Sequence, residues 1–255
     1  MTVYFIGAGP GDPDLLTIKG RDLIARCPLC LYAGSLVPEV LTRFASKHAR
    51  IVNTAPLSLD EITAELITAD AMHQDVARLH SGDPSLYSAT GEQMAALREA
   101  GIAYEVVPGV PAFAAAAATL RQELTLPEIA QTVILTRTSS RSSPMPEGED
   151  LATLAQSGAT LTLHLSAKRM GEIAEKLVPH YGADCPAVVV ARASWPDEVV
   201  LRGTLATIGQ QVVDAGIERT AIVFVGPVLG AEPTAKSRLY DADHDRHLKP
   251  ARPDS

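Results

Sequence analysis

Between residues 3 and 107, short apolar runs alternate with stretches whose apolar positions repeat at helical spacing. That alternation predicts a mostly parallel sheet with helices on its faces. The runs place strands at 3–6, 29–32, 50–53, 75–79 and 103–107. Two helices between them carry start signals. Ser58-Leu59-Asp60-Glu61 reads as a capping box opening a helix that carries Ile62, Leu66 and Ile67, and Thr90-Gly91-Glu92-Gln93 reads as another, opening a helix that stops at Gly101.

Pro108-Gly109-Val110-Pro111 breaks this rhythm, and the small-residue run from Ala112 to Ala118 resumes as a tightly packing helix. The break divides the chain into an N-terminal α/β domain, 1–111, and a C-terminal one, 112–230. β-branched runs at 132–135, 160–165, 188–190 and 222–225 give the second domain a sheet richer in antiparallel pairing. Its helices are expected at 168–180, with Met170, Ile173, Ala174 and Leu177 on one face, and at 205–215, ending at Gly216. Residues 138–150 form a polar loop with Arg141, Pro144 and Pro146, long enough for a lid or a linker. Residues 231–255 are charged and poor in large apolar side chains, so a mobile tail is expected.

Composition narrows the class. A chain of 255 residues, 46% hydrophobic and 20% charged, holds apolar material for one large or two small cores. The first apolar run has no basic leader and no cleavage site, and no run reaches the roughly 18 apolar residues of a membrane span. A cytoplasmic protein with no membrane partner is the expectation. A net charge of −8 argues against a broad nucleic-acid surface, which needs clustered Lys and Arg, but leaves room for a local basic pocket. Three cysteines offer no disulfide framework. Cys27-Pro28-Leu29-Cys30 has redox spacing, yet it ends a helix and enters a strand, the reverse of the redox arrangement. Cys185 alone cannot complete a zinc site with that pair. Asp241, Asp243, His244, Asp245 and His247 resemble a ligand cluster but lie in the tail, so no metal is expected.

The chemistry-bearing signals sit where strands end. After the first strand comes Gly7-Ala8-Gly9-Pro10-Gly11-Asp12-Pro13, then a helix expected to start near Asp14 or Leu15. Glycines admit close approach of a ligand to the backbone. The dinucleotide fingerprint would need a glycine in place of Asp12 and an acid at the end of the second strand, where Tyr32-Ala33-Gly34-Ser35 stands. A nucleotide-hydrolase phosphate loop would need Gly-Lys-Ser/Thr. Neither pattern is met. A second unusual loop, Ser81-Gly82-Asp83-Pro84-Ser85-Leu86-Tyr87, follows the fourth strand, and a third, Pro108 to Ala112, follows the fifth. Loops at the carboxyl ends of parallel strands gather at one edge, so all three can face one ligand. Asp83 is placed to accept from ribose hydroxyls or a ligand ammonium.

The stretch from Val3 to Thr17, with Arg78-Leu79-His80-Ser81-Gly82-Asp83-Pro84 and Val107-Pro108-Gly109-Val110, resembles the signatures of the tetrapyrrole methylase superfamily. Thr160 to Leu165, Leu201 to Leu205 and Ala221 to Gly226 continue the match over about nine-tenths of the chain. Leu31-Tyr32-Ala33-Gly34-Ser35-Leu36-Val37, Gln122 to Pro127 and Gln131 to Arg137 resemble the branch that methylates C11 of precorrin-4 in cobalamin synthesis. The uroporphyrinogen-III branch carries an acid and a lysine where this chain has Ala33 and Thr54, so its proposed acid and base do not carry over. The loop keeps Arg141 and Pro144-Met145-Pro146-Glu147 of the precorrin-4 branch but lacks the glycine usual before that arginine.

The resemblance implies two α/β domains with the active site in the cleft between them, and a homodimer. It implies S-adenosylmethionine as co-substrate, held by Pro10, Gly82, Asp83, Leu86, Pro111, Ala112, Leu165, Ala193 and Thr220. A methyl sulfonium is already activated, so catalysis is mainly positioning and exclusion of water, and no catalytic side chain is assigned. The implied acceptor is a polyacidic tetrapyrrole, precorrin-4 or its cobalt form. Arg121, Arg137, Arg141 and Lys168 are candidates for its carboxylates, with His80 and Ser81 as further substrate contacts. Methylation at another corrin-ring carbon or on another acceptor, such as RNA ribose or a modified histidine, and a non-catalytic tetrapyrrole carrier are the alternatives.

Overall fold

The computed structural model describes residues 1–139 and 144–231. Five strands, β1 (Thr2–Gly7), β2 (Leu29–Tyr32), β3 (Arg50–Asn53), β4 (Val76–His80) and β5 (Ala103–Val107), form an all-parallel sheet in the order β3-β2-β4-β1-β5. Period-two alternation divides the two faces. Tyr4 and Ile6 of β1 join Cys30 and Leu79 against α1 (Ile18–Arg26), while Val3 and Phe5 join Leu29 and Leu31 against α2 (Leu59–Ala71) and α3 (Thr90–Glu99). With both faces covered, β1 and β2 read as continuous apolar runs, and β4 is buried throughout but carries Arg78, held by Gln93 and Thr54, and His80 on its α2 and α3 face. Phe5 and Ile6 are wholly buried, and each such side chain contributes about 2–3 kcal/mol of burial.

Five further strands make a mixed sheet in the order β6-β7-β10-β8-β9: β6 (Val133–Arg137), β7 (Thr160–His164), β8 (Pro186–Ala191), β9 (Val199–Thr204) and β10 (Ala221–Val225). Only β6 and β7 are parallel. One face packs α5 (Leu151–Ala155), α6 (Met170–Tyr181) and α7 (Ile208–Asp214) on Leu161, Leu163, Val189 and Val223. The other packs α4 (Ala112–Leu120), whose Ala115 and Ala116 let its backbone close onto Val188, Val190, Ile222 and Phe224. Leaving β5, α4 thus carries the chain onto the second sheet.

Several expectations are corrected. The helix after the glycine loop starts at Ile18, capped by Thr17. A 3₁₀ turn at Pro13–Leu15, capped by Asp12, intervenes, so no α-helix N-terminus abuts the loop. The capping box at Ser58 is present in full, but the one at Thr90 is not. Left-handed Ala89 is the cap there, and Thr90 Oγ1 instead donates to the Pro84 carbonyl, tying α3 to the Asp83 loop. The short helix α5 and strand β9 stand where none was expected, and α7 starts three residues beyond Leu205. Cys27 caps α1 and Cys30 enters β2. Burial raises their thiols to about 12 and about 11, which denies them the thiolate a redox pair uses. No helix among the described residues is long and apolar enough to cross a membrane. Arg141 and residues 232–255, with their Asp/His cluster, lie outside the described residues.

Candidate active site

Three loops leave β1, β4 and β5 at one edge, and glycines let them touch. A Cβ on Gly7 would stand 2.5 Å from Gly109 Cα, and one on Gly109 would stand 2.2 Å from the Gly82 carbonyl oxygen, so a side chain at either position would force the loops apart. The first loop is bonded to the second through Ala8 N–H to His80 O at 2.8 Å and Gly82 N–H to Gly9 O at 2.8 Å. Asp83 closes the set. Its Oδ2 accepts from Gly109 N–H at 2.8 Å and its Oδ1 from Ser85 N–H at 2.8 Å, with Ser85 Oγ as a further donor. Burial pushes the Asp83 carboxyl upward, but the bonds from Ser85 and Gly109 outweigh it and hold it below its ordinary value. The carboxylate thus holds the second and third loops together before any ligand arrives.

The second sheet clasps the first loop from the other side. In the segment between β8 and β9, Trp195 Nε1 donates to Pro10 O at 2.8 Å, and Ser194 Oγ accepts from Asp12 N–H at 3.0 Å. Glu198 orients that segment by accepting from Ser194 N–H at 2.7 Å and Thr119 Oγ1 at 3.0 Å. Gly11 is required here, since a Cβ would fall 2.1 Å from the indole.

Between the sheets lies a cavity of about 270 Å³. Pro10, Leu86, Ala112, Leu165, Ala193 and Thr220 of the expected cofactor contacts line it, and so does Ser81. Gly82, Asp83 and Pro111 stand behind the lining, with a Cβ on Gly82 3.6 Å from Pro111 Cα. The walls also include Leu36, Tyr87, His164, Glu218 and Arg219, none expected. Tyr87, Leu165 and Thr220 hold left-handed backbone in this lining, and Ala89, Arg192 and Ser194 do so beside it. Backbone strain in non-glycine residues persists where the surroundings impose it, and it gathers at ligand-binding edges. Leu165, 70% exposed, presents an apolar face to the cavity.

His80 does not reach this space. It is buried on the α2 and α3 side of the sheet, 5.7 Å from the Phe5 ring, so the cavity offers it no substrate. Arg121 caps the other end of α4, exposed and outside the lining. Lys168 reaches the rim through Glu218 at 3.7 Å. Arg137 ends β6, where it donates to Thr138 O at 3.1 Å and Pro144 O at 3.3 Å, and its charge is felt by the Tyr87 phenol. Arg219 adds an exposed cation to the lining itself, suited to an acidic ligand.

A cleft between two α/β sheets, walled by apolar side chains and strained loops with cations at its rim, defines a binding site for a small, partly anionic ligand. The family of tetrapyrrole (corrin/porphyrin) methylases matches residues 2–209, and the chain belongs to that family. It is 60% identical over 246 residues to a precorrin-4 C(11)-methyltransferase of Rhodococcus erythropolis, spanning 96% of this chain and 99% of that one. Among solved structures it is similar to the cobalt precorrin-4 methyltransferase CbiF, with a TM-score of 0.86 at 39% identity over 89% of this chain and 95% of that one. It is also similar to the Thermus thermophilus uroporphyrin-III C-methyltransferase complexed with S-adenosylhomocysteine, with a TM-score of 0.76 at 28% identity over 90% of this chain and 99% of that one.

Proposed function

We propose that this chain transfers a methyl group from S-adenosylmethionine to C11 of precorrin-4, giving precorrin-5, in cobalamin biosynthesis. The observation that carries the reading is near-full-length identity of 60% with a precorrin-4 C(11)-methyltransferase. The fit of the cavity supports the co-substrate. Small Ala112 and Ala193 leave room, exposed Leu165 offers an apolar surface for a flat base, and the Pro10 loop is held in place by Trp195. When bound there, the sulfonium supplies an activated methyl group. The protein's part is to orient that group toward the acceptor carbon and exclude water. Arg219, Lys168 and Arg137 form the cationic rim that receives substrate carboxylates, with Arg141 as a further candidate.

Incubation with methyl-labelled S-adenosylmethionine and precorrin-4 should place label at C11, and absence of label in any tetrapyrrole would defeat the reading. Cobalt-precorrin-4 is the second acceptor to test. The metal-free form is favoured by 60% identity to a precorrin-4 enzyme against 39–43% to cobalt-precorrin-4 enzymes. A carrier without catalysis would not bind S-adenosylmethionine in a calorimeter. A homodimer in the cytoplasm completes the proposal, with light scattering on the purified protein as the test of the dimer.

A further inference from the structure

Building on the proposed methyl transfer, we propose that the ring of Tyr87 receives the sulfonium of S-adenosylmethionine on its π face and so sets the preference for co-substrate over spent product. Sulfur carries a positive charge until the methyl group leaves. The electron pair of the broken sulfur–carbon bond then stays on sulfur, and S-adenosylhomocysteine is a neutral thioether there. A group that senses this charge binds the two ligands unequally.

Among the described residues the lining offers that charge no free carboxylate. Glu218 is exposed at the rim and paired with Lys168 at 3.7 Å. Asp83 stands behind the lining, its two oxygens holding the N–H groups of Ser85 and Gly109. The other charged side chain of the lining, Arg219, is a cation. What remains is aromatic, and a ring attracts a cation through the negative charge on its face. Tyr87 and His164 supply the rings of the lining. Of the two, Tyr87 is open to a ligand, at 43% exposed, whereas His164 is half-buried with its Nε2 covered. Burial raises the Tyr87 phenol above the ordinary 10, so at neutral pH it presents a π face and no phenolate.

The two ends of the co-substrate place its sulfur beside this ring, because sulfur joins the adenosine to the amino acid. The base suits the apolar end of the cavity, at Leu165 and Ala193 of the second sheet. The amino acid suits the loop edge of the first sheet, where α4 opens at Ala112 with no side-chain cap on its first N–H groups. Tyr87 spans the two ends. Its backbone belongs to the loop after β4, and its ring crosses to the second sheet, 5.1 Å from the ring of His164, the residue before Leu165. The loop that carries it is pinned. Ser88 Oγ shares its proton between Asp83 O at 3.1 Å and Leu86 O at 3.0 Å, and Thr90 Oγ1 donates to Pro84 O at 3.0 Å. Tyr87 and Ala89 hold φ of 51° and 50°, and this strained backbone aims the ring across the cleft before any ligand arrives.

The test titrates wild type, Tyr87→Phe and Tyr87→Leu with S-adenosylmethionine and with S-adenosylhomocysteine in a calorimeter. The readout is the ratio of the two affinities, since a merely structural loss weakens both ligands alike. Tyr87→Phe keeps a π face and should keep the wild-type ratio. Tyr87→Leu should shift the ratio about fivefold toward S-adenosylhomocysteine, the size of one cation–π contact. In wild type without acceptor, NMR of methyl-labelled S-adenosylmethionine should show the methyl protons shifted upfield by the ring and close to the Tyr87 ring protons. An unmoved ratio in Tyr87→Leu, or a bound methyl group remote from that ring, overturns the assignment. Should Tyr87→Leu not fold, the wild-type NMR decides it. S-adenosylmethionine binding with an unmoved ratio defeats the role of Tyr87 alone, whereas a wild type that binds neither ligand defeats the proposed function and this assignment with it.

Discussion

Asp83 shows how a residue legible in the sequence changes meaning once its partners are visible. The motif around it marks a ligand loop, but both carboxylate oxygens already hold backbone N–H groups, of Gly109 and Ser85. Asp83→Ala should therefore loosen the loops rather than delete a ligand contact. Co-substrate affinity should fall about tenfold in calorimetry, the worth of one lost charge-assisted bond, with far-UV dichroism unchanged. Unaltered affinity would show that the loops hold without it. His164 was not legible as a site residue, because 160–165 reads as a β-branched strand of the second domain. Only the structure places its ring against the cavity and shows Nε2 buried without a partner among the described residues.

At the level of elements, packing at α4 gives a sharp contrast between neighbours. Ala116 is wholly buried against the second sheet, whereas Ala118 on the same helix is exposed. Ala116→Leu should destabilise by about 1–3 kcal/mol through overpacking, and Ala118→Leu should change stability by less than about 0.5 kcal/mol. Urea midpoints measure both, and equal effects would contradict the docking of α4. Strands β2, β3 and β5 coincide with the apolar runs residue for residue, because parallel strands bounded by loops have clear ends. Strand β9 escaped notice because Arg202 and Gly203 interrupt its alternation, and α5 has only five residues. The clasp between Trp195 and Pro10 joins positions 185 apart in sequence, and no local pattern records such a contact. Trp195→Phe should keep the ring's packing, lose that bond and weaken co-substrate binding several-fold, about 1 kcal/mol. As the chain has one tryptophan, binding to wild type should also shift its emission. An affinity unchanged by the substitution would remove the clasp from the site.

For the whole molecule, acid should act through histidines that fold in the neutral form. His80 is lowered to about 3 by burial and then by the charge of Arg78, and His164 to about 4 by burial. Between the ordinary histidine value of 6.5 and these values the unfolded chain binds protons that the folded chain refuses, so stability falls as pH falls. Each contributes a slope of about 1.4 kcal/mol per pH unit where it is steepest. Charge repulsion does not explain a loss beginning there, since the net charge of −8 shrinks toward zero near pH 5.4. Carboxylates held low, such as Asp83, add their loss only as pH drops below the ordinary 3.8. Urea midpoints at pH 7, 6 and 5 should therefore decline in wild type and decline less steeply in His80→Leu, whatever repacking costs that variant at pH 7. Parallel curves for the two proteins would mean that His80 titrates normally in the folded state, which its burial beneath the second loop forbids.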